Sequence, residues 1–383
     1  MRRIFILLLV VSLLFTACAQ SENTLRLGVN LELTGRLAWY GDATLKGIKL
    51  AAKEVNAAGG IRGKRIELVV LDNRSENAEA ALAAIRLAGR ENVKTIIGPS
   101  TSGGVKASLA AGCGVPILVP SATADDLAPK GGADNEMFRI CYTDTMQGKA
   151  IARFAVKKGI RTAAILTESS SDYSRGMSQV FAKTFKALGG TVTAQEYYAS
   201  GETDFCTVLT KLKQQPFDAL LLPGYYTEAA LIIRQMHELG IKAVLLSGDA
   251  FDVPALDELV QSREYLSNIY FTDHYAPAGK EHSDFARSYH KAYGEQAPAY
   301  AALGYDCVKL FALAVQKTEG AATAEIAQQL AYTTDYSGVT GVITIDENHN
   351  ALKAVHIIEL QNGKRSEAAE IEPDNINQFT KNP

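Results

Sequence analysis

The sequence predicts an α/β protein made of two doubly wound units, each a mostly parallel sheet with helices packed on it. Three observations carry that expectation. The chain has 383 residues, more than one hydrophobic core usually holds, so two domains are expected. Short apolar runs of strand length alternate with amphipathic helical runs from residue 25 onward, the rhythm of a parallel sheet with crossover helices. That rhythm lapses and restarts around residues 137–140, which gives two units similar in plan but not in sequence.

The elements follow in order. Residues 25–30 read as a strand with Leu25, Leu27 and Val29 on one face. Asp42 can cap a helix with the stripe Leu45, Ile48, Ala52 and Val55, stopped by Gly59 and Gly60. A strand at 66–71, a helix at 78–89 and short apolar runs at 95–98 and 115–120 complete the first unit. The second opens with a helix near 147–158 and a strand at 162–167. A strongly periodic helix then carries Met177, Val180, Phe181, Thr184, Phe185 and Leu188 on one face. Strands at 191–197, 219–223 and 243–247 alternate with helices at 204–214 and 227–239. By composition, the tail from Gly363 is polar and reads as frayed.

Bulk composition excludes some functions. Apolar residues at 47% and charged residues at 21% place the chain among soluble globular proteins. A net charge of −3, with no basic run interleaved with aromatics, offers nucleic acid no surface.

Residues 1–18 stand apart from the fold. Arg2 and Arg3 precede an apolar stretch over 4–15, too short to span a bilayer comfortably, and Thr16 and Ala17 then lead to Cys18. This reads as a secretory signal. Phe15-Thr16-Ala17-Cys18 resembles the bacterial lipobox, in which the cysteine becomes the acylated N-terminus, although Phe15 departs from the usual leucine. The competing reading is cleavage at a small-residue site with Cys18 incidental. Acylation of Cys18 would hold an exported protein at a membrane surface facing the periplasm or the cell exterior. Residues 19–23 then read as a tether. Cys113, Cys141, Cys206 and Cys307 show no CxxC or zinc spacing, and buried free thiols are expected.

Several motifs stand in register along the chain: Leu33-Thr34-Gly35 with Trp39-Tyr40-Gly41, the run from Asn56 through Gly59-Gly60-Ile61 to Asp72, and Ile97-Gly98-Pro99 to Ser102. Val119-Pro120-Ser121-Ala122-Thr123, Thr203-Asp204-Phe205 and Gly224-Tyr225 follow. Together and in this order they resemble one family, the leucine/isoleucine/valine-binding proteins of bacterial ABC importers. The resemblance runs from about residue 24 to 360. It implies two Rossmann-like lobes, the type I periplasmic binding protein fold, joined by a three-segment hinge. Carried onto this chain, lobe 1 comprises 24–141 plus 272–353 and lobe 2 comprises 142–271 plus 354–371. The second crossing falls at 269–272 and the third at 354–356.

Ligands of open parallel sheets bind beyond the carboxyl ends of the strands. That rule alone selects the loops 99–103, 121–125 and 248–252, which contain Ser102, Thr123 and Asp249. Ser102, where a strand gives way to a helix, can hold a carboxylate at the helix's positive end, or serve only as an N-cap. Asp249 follows an apolar strand and can hold an ammonium by a charge-assisted hydrogen bond. It could equally cap the helix beginning near Val253 and Pro254, as could Asp252.

The family's amino-acid site resembles this set, with glutamate at the position of Asp249. The resemblance adds a Ser121 carbonyl for the ammonium and a Thr123 hydroxyl or amide for the ligand, although both residues also suit a plain turn. It places Tyr173 and Tyr225 on the lobe 2 side of the cleft, and Trp39 and Tyr40 at the side-chain end of the pocket. A lone tryptophan such as Trp39 also serves plain packing.

Enzyme motifs fail. The segment 98–104 lacks the G-x-S-x-G elbow and the phosphate-loop lysine, and the G-x-G of Gly112 and Gly114 has no third glycine. His274, His282 and His290 recur every eight residues, which suits no helical metal site, so surface histidines are expected. The expected function is therefore capture of a free amino acid, branched-chain or related, for an importer's permease subunits. No cofactor, metal or chemical step is expected. The alternatives are a sensory receptor for amides or aromatic acids on the same clamp, and an exported enzyme on a related fold.

Overall fold

The computed structural model describes residues 23–127, 136–276 and 283–373. Cys18 and the signal segment, the tether up to residue 22, and His282 lie outside the described residues. Among the described residues, no helix is long and apolar enough to cross a membrane.

The first sheet has the order β2-β1-β3-β4-β5, with β1 at Thr24–Leu31, β2 at Arg65–Asp72, β3 at Ile96–Ile97, β4 at Ile117–Val119 and β5 at Met137–Arg139. Every pairing in it is parallel, and its inner strands β3 and β4 are buried at every residue and read as unbroken apolar runs. Helices α1 (Ala38–Ala57), α2 (Asn77–Gly89) and α3 (Ser102–Ala110) make the crossovers.

The second sheet has the order β15-β14-β10-β9-β8-β6-β7. Its parallel part is β6 (Thr162–Glu168), β7 (Thr191–Tyr198), β8 (Ala219–Leu221), β9 (Val244–Ser247) and β10 (Ile269–Asp273). Helices α4 (Asp144–Lys157), α5 (Asp172–Ala187), α6 (Cys206–Lys213), α7 (Tyr226–Glu238) and α8 (Pro254–Val260) accompany it. Met177, Phe181 and Phe185 form the buried stripe of α5, as its period requires.

After β10 the chain returns to the first unit. There it forms α9 (Asp284–Tyr293), α10 (Ala299–Gln316), α11 (Thr323–Ala331) and a small sheet of β11 (Tyr336–Gly338), β12 (Gly341–Ile345) and β13 (Ala351–Leu352). Helix α10 lies against α1 at backbone contact. A Cβ on Gly47 would meet the Ala301 carbonyl oxygen at 1.9 Å, and one on Gly304 would meet that of Thr44 at 2.4 Å. The chain then passes back and closes the second sheet with the antiparallel hairpin β14 (Val355–Gln361) and β15 (Lys364–Ile371).

Four expectations need correction. Helix α1 begins at Ala38, four residues before Asp42. Ser75 accepts the Leu37 amide at 3.1 Å, so a tertiary contact replaces the local cap, and Asp42 is left to pair with Lys46 at 3.1 Å. The polar tail does not fray at Gly363. Its strand β15 is tied down by Arg365, which holds both oxygens of Asp257 at 2.9 Å. The four described cysteines are free, yet only Cys141 and Cys307 are buried, while Cys206 is exposed. His274 is not a surface residue: it is fully buried just after β10, whereas His290 is exposed.

Candidate binding site

The carboxyl ends of the two parallel sheets face each other. Apolar contact between them is continuous, because Leu37, Tyr40, Ala43 and Tyr300 of the first unit pack into the core of the second.

The first unit's wall is made of small hydroxyls. Thr101 occupies the N-cap position of α3, so Ser102 is its first helical residue rather than the cap. Ser102 is 2% exposed, and its hydroxyl accepts the Ala124 amide at 3.3 Å. The buried Glu32 takes the amides of Ser100 and Thr101 at 3.1 and 3.2 Å. Burial pushes the Glu32 carboxyl up, against the pull of these bonds and of the Thr101 hydroxyl. Ser121 donates its hydroxyl to the Ser100 carbonyl at 3.0 Å, tying two strand-end loops together. The Thr123 carbonyl accepts the Asp144 amide at 2.7 Å where the chain enters the second unit.

The second unit's wall carries the charge. Asp249 opens a single 3-10 turn after β9 and is 3% exposed. Val253, not Asp249 or Asp252, is the N-cap residue of α8. Asp252 instead accepts the Ala299 amide at 2.9 Å, capping α10 from across the cleft. The Asp249 Oδ2 lies 3.1 Å from Nε2 of His274.

Gln147 joins the two walls. Its Nε2 donates to the Thr123 hydroxyl at 3.2 Å and to Asp144 at 2.8 Å. Its Oε1 accepts the Asp249 amide at 3.3 Å and the Thr272 hydroxyl at 2.8 Å. Thr123 and Asp249 therefore flank one side-chain amide. Desolvation pushes the carboxyl of fully buried Asp144 well above its usual range.

Tyrosines fill the space between the walls. The Tyr40 hydroxyl donates to the Ala250 carbonyl at 2.8 Å and accepts the Tyr226 amide at 3.3 Å, both across the cleft. Its ring packs on Tyr300 at 4.7 Å and on Tyr225 at 5.9 Å. Tyr225 in turn meets Tyr173 at 5.8 Å. The buried Tyr173 hydroxyl has no hydrogen-bond partner among the described residues. A Cβ on Gly248 would lie 2.3 Å from that oxygen, so only glycine lets the phenol rest against the end of β9. Trp39 is half-buried and sits edge-on to Tyr40 and Tyr300 at 6.4 and 6.3 Å. At the rim, Arg36 bonds both oxygens of the buried Glu228 at 3.0 and 2.9 Å.

The structure thus gathers Ser102, Ser121, Thr123, Asp249, Tyr40, Tyr173 and Tyr225 around one cleft, with Trp39 behind the rings. Sequence reasoning missed Gln147, His274, Asp144, Tyr300 and the Arg36–Glu228 pair. For His274 a signal existed: it directly follows the buried strand β10, with no turn residue between. Gln147 gave none, since one glutamine on a helix looks like any other. Elsewhere, His356, Glu367 and Glu370 bring possible metal-ligand atoms within 4.8 Å of one another on the β14–β15 hairpin. There His356 Nδ1 pairs with Glu367 at 2.6 Å.

Two α/β lobes facing across a cleft, with buried groups of both lobes turned into it, define a solute-binding clamp. The model of the periplasmic binding protein family matches residues 24–365, and the chain belongs to that family. It is a solute-binding protein rather than an enzyme. Its fold matches the branched-chain amino acid transporter substrate-binding protein LivJ of Streptococcus pneumoniae in complex with isoleucine. That match has 37% identity and a TM-score of 0.84, over 91% of this chain and 99% of LivJ. It also matches the leucine-binding protein LivK of Thermotoga maritima at 33% identity and a TM-score of 0.86, over 92% and 100% of the two chains. The Leu/Ile/Val-binding protein BraC3 of Rhizobium johnstonii is 30% identical over 63% of this chain, and the match spans 65% of BraC3.

Proposed function

We propose that this protein captures a free amino acid, branched-chain or related, and delivers it to the permease subunits of an ABC importer. The observation that carries the reading is the pairing of unlike walls. Neutral donors at Ser102 and Thr123 suit a carboxylate, and the buried carboxylate of Asp249 suits an ammonium. Tyr173 and Tyr225 supply the apolar wall for the side chain, together with Tyr40, and Ser121 adds a carbonyl. Ligand bridging both lobes favours the closed state, with the chain bending at three crossings. The second falls after residue 273 rather than at 269–272 as expected, because β10 holds Ile269–Asp273 within the second sheet, and the third precedes β14, which starts at Val355. The likeness to isoleucine-bound LivJ and to leucine-binding LivK supports this ligand class.

Calorimetry with leucine and its keto-acid analogue tests the reading. A keto acid leaves Asp249 buried without its partner, which costs on the order of 3–5 kcal/mol. It should therefore bind at least about a hundredfold more weakly. Equal affinities would reject the amino-acid reading.

Cys18 anchors the exported protein to a membrane through attached acyl chains, in the same proposal. Mass measurement of the native protein should show cleavage before Cys18 and added acyl mass, and Cys18→Ala should release it in soluble form. An unmodified N-terminus at another residue would overturn the anchor.

A further inference from the structure

We infer that His274 is a positioning residue for ligand binding, a fixed N–H donor that aims the Asp249 carboxylate at the ligand's ammonium. The inference rests on the amino-acid reading above and deepens it.

The geometry leaves His274 one polar task. Its ring is fully buried, and Nε2 lies 3.1 Å from Asp249 Oδ2. One ring face packs on Tyr142 with centroids 3.7 Å apart. Nδ1 has no hydrogen-bond partner among the described residues. In a neutral imidazole one nitrogen donates and the other accepts. A carboxylate can only accept, so the proton belongs on Nε2, and Nδ1 keeps its lone pair. The backbone holds the ring in place: the His274 amide donates to Asp273 Oδ1 at 2.7 Å.

Burial keeps the imidazole neutral. Desolvation lowers its pKa to about 4, against the pull of Asp249. Lys353, between β13 and β14, and His356 of β14 also disfavour the charge, while Asp273, the last residue of β10, directly precedes it. A neutral donor orients Asp249 without neutralising it. An imidazolium would satisfy the carboxylate and compete with the ligand's ammonium.

The location adds a second consequence. Tyr142 lies where the chain first leaves the first sheet, between β5 and α4, and His274 lies where it returns after β10. The packed pair, its rings tilted by 31°, thus joins two adjacent crossings and holds Asp249 from the hinge side. The ammonium anchor is part of the hinge itself, not a side chain on a loop tip.

The test compares His274→Leu and His274→Gln with wild type, using leucine and its keto acid in calorimetry. A hydrogen bond to a charged group contributes enough for a loss of roughly tenfold or more. Leucine affinity should fall by that factor in His274→Leu. Keto-acid affinity should stay within about twofold, because the wall at Ser102 and Thr123 is untouched. His274→Gln, which restores an N–H donor, should recover most of the leucine affinity. A purely structural role would instead weaken both ligands alike in His274→Leu. Wild-type selectivity that survives intact in His274→Leu would overturn the inference while leaving the amino-acid reading standing. Wild-type protein without selectivity would overturn that reading, and this inference with it.

Discussion

The two walls of the cleft solve opposite problems. The lobe 1 wall presents hydroxyls and the start of the nine-residue helix α3: Ser102 accepts the Ala124 amide, Ser121 donates to the Ser100 carbonyl, and the Thr123 hydroxyl accepts from Gln147 of lobe 2. The lobe 2 wall presents the Asp249 carboxylate, which is costly to bury without a counter-charge. In the proposed reading the hydroxyl wall needs no counter-charge, while the charged wall is completed by the ligand's ammonium. Affinity and selectivity should therefore divide unequally between the lobes, with lobe 2 choosing for an amine and lobe 1 serving any carboxylate.

The sharpest way to break this contrast is Asp249→Ala. Leucine affinity should fall about a hundredfold or more, with the melting temperature of the unliganded protein nearly unchanged. Calorimetry and thermal melts on one preparation check both, and a variant that binds normally would show that Asp249 faces away from the ligand.

Next in size is an acid effect confined to the charged wall. His274 takes up a proton near 6.5 when unfolded but only at about 4 when folded. Its contribution to stability is therefore present above 6.5 and lost as pH falls from 6.5 towards 4. The slope is at most about 1.4 kcal/mol per pH unit. Urea denaturation across that range should show a shallower acid loss for His274→Leu than for wild type, if the variant is compared with itself at pH 7.

Ser102→Ala probes the neutral wall and should weaken leucine and its keto acid alike, by roughly tenfold. Unequal losses would mean that the walls do not divide the two charges.

Arg36→Ala leaves both walls intact and removes a clasp between the lobes. Arg36 is about one-third exposed, so solvent screens the pair, and a threefold to tenfold loss is expected at roughly 1 kcal/mol. X-ray scattering of the unliganded variant should show a larger radius of gyration than wild type. No change would place closure elsewhere.

The strands that end in Ser102, Thr123 and Asp249 were legible because a parallel strand buried on both faces is a bare apolar run, and its end is marked by Gly, Pro or Ser. The stripe of Met177, Phe181 and Phe185 was legible for a similar reason, its period. What stayed hidden depends on partners far away in the chain. The start of α1 is set by Ser75, the role of Gln147 by residues up to 125 positions away, and the burial of His274 by Tyr142. Local patterns carry no record of such meetings. The strand β15 was hidden for another reason: an edge strand is half solvated, so its polar composition looks like a tail.

The repeated passage of the chain between lobes also bears on how the molecule comes into being. The first sheet is finished by β5, but α10, which locks onto α1 through Gly47 and Gly304, follows 160 positions after it. The second sheet waits still longer, for β14 and β15 at the far end. Neither lobe has its full core until nearly the whole chain has been made. Contacts so distant in sequence form slowly, so the interleaved order of the segments makes late closure of both cores a property of the fold itself.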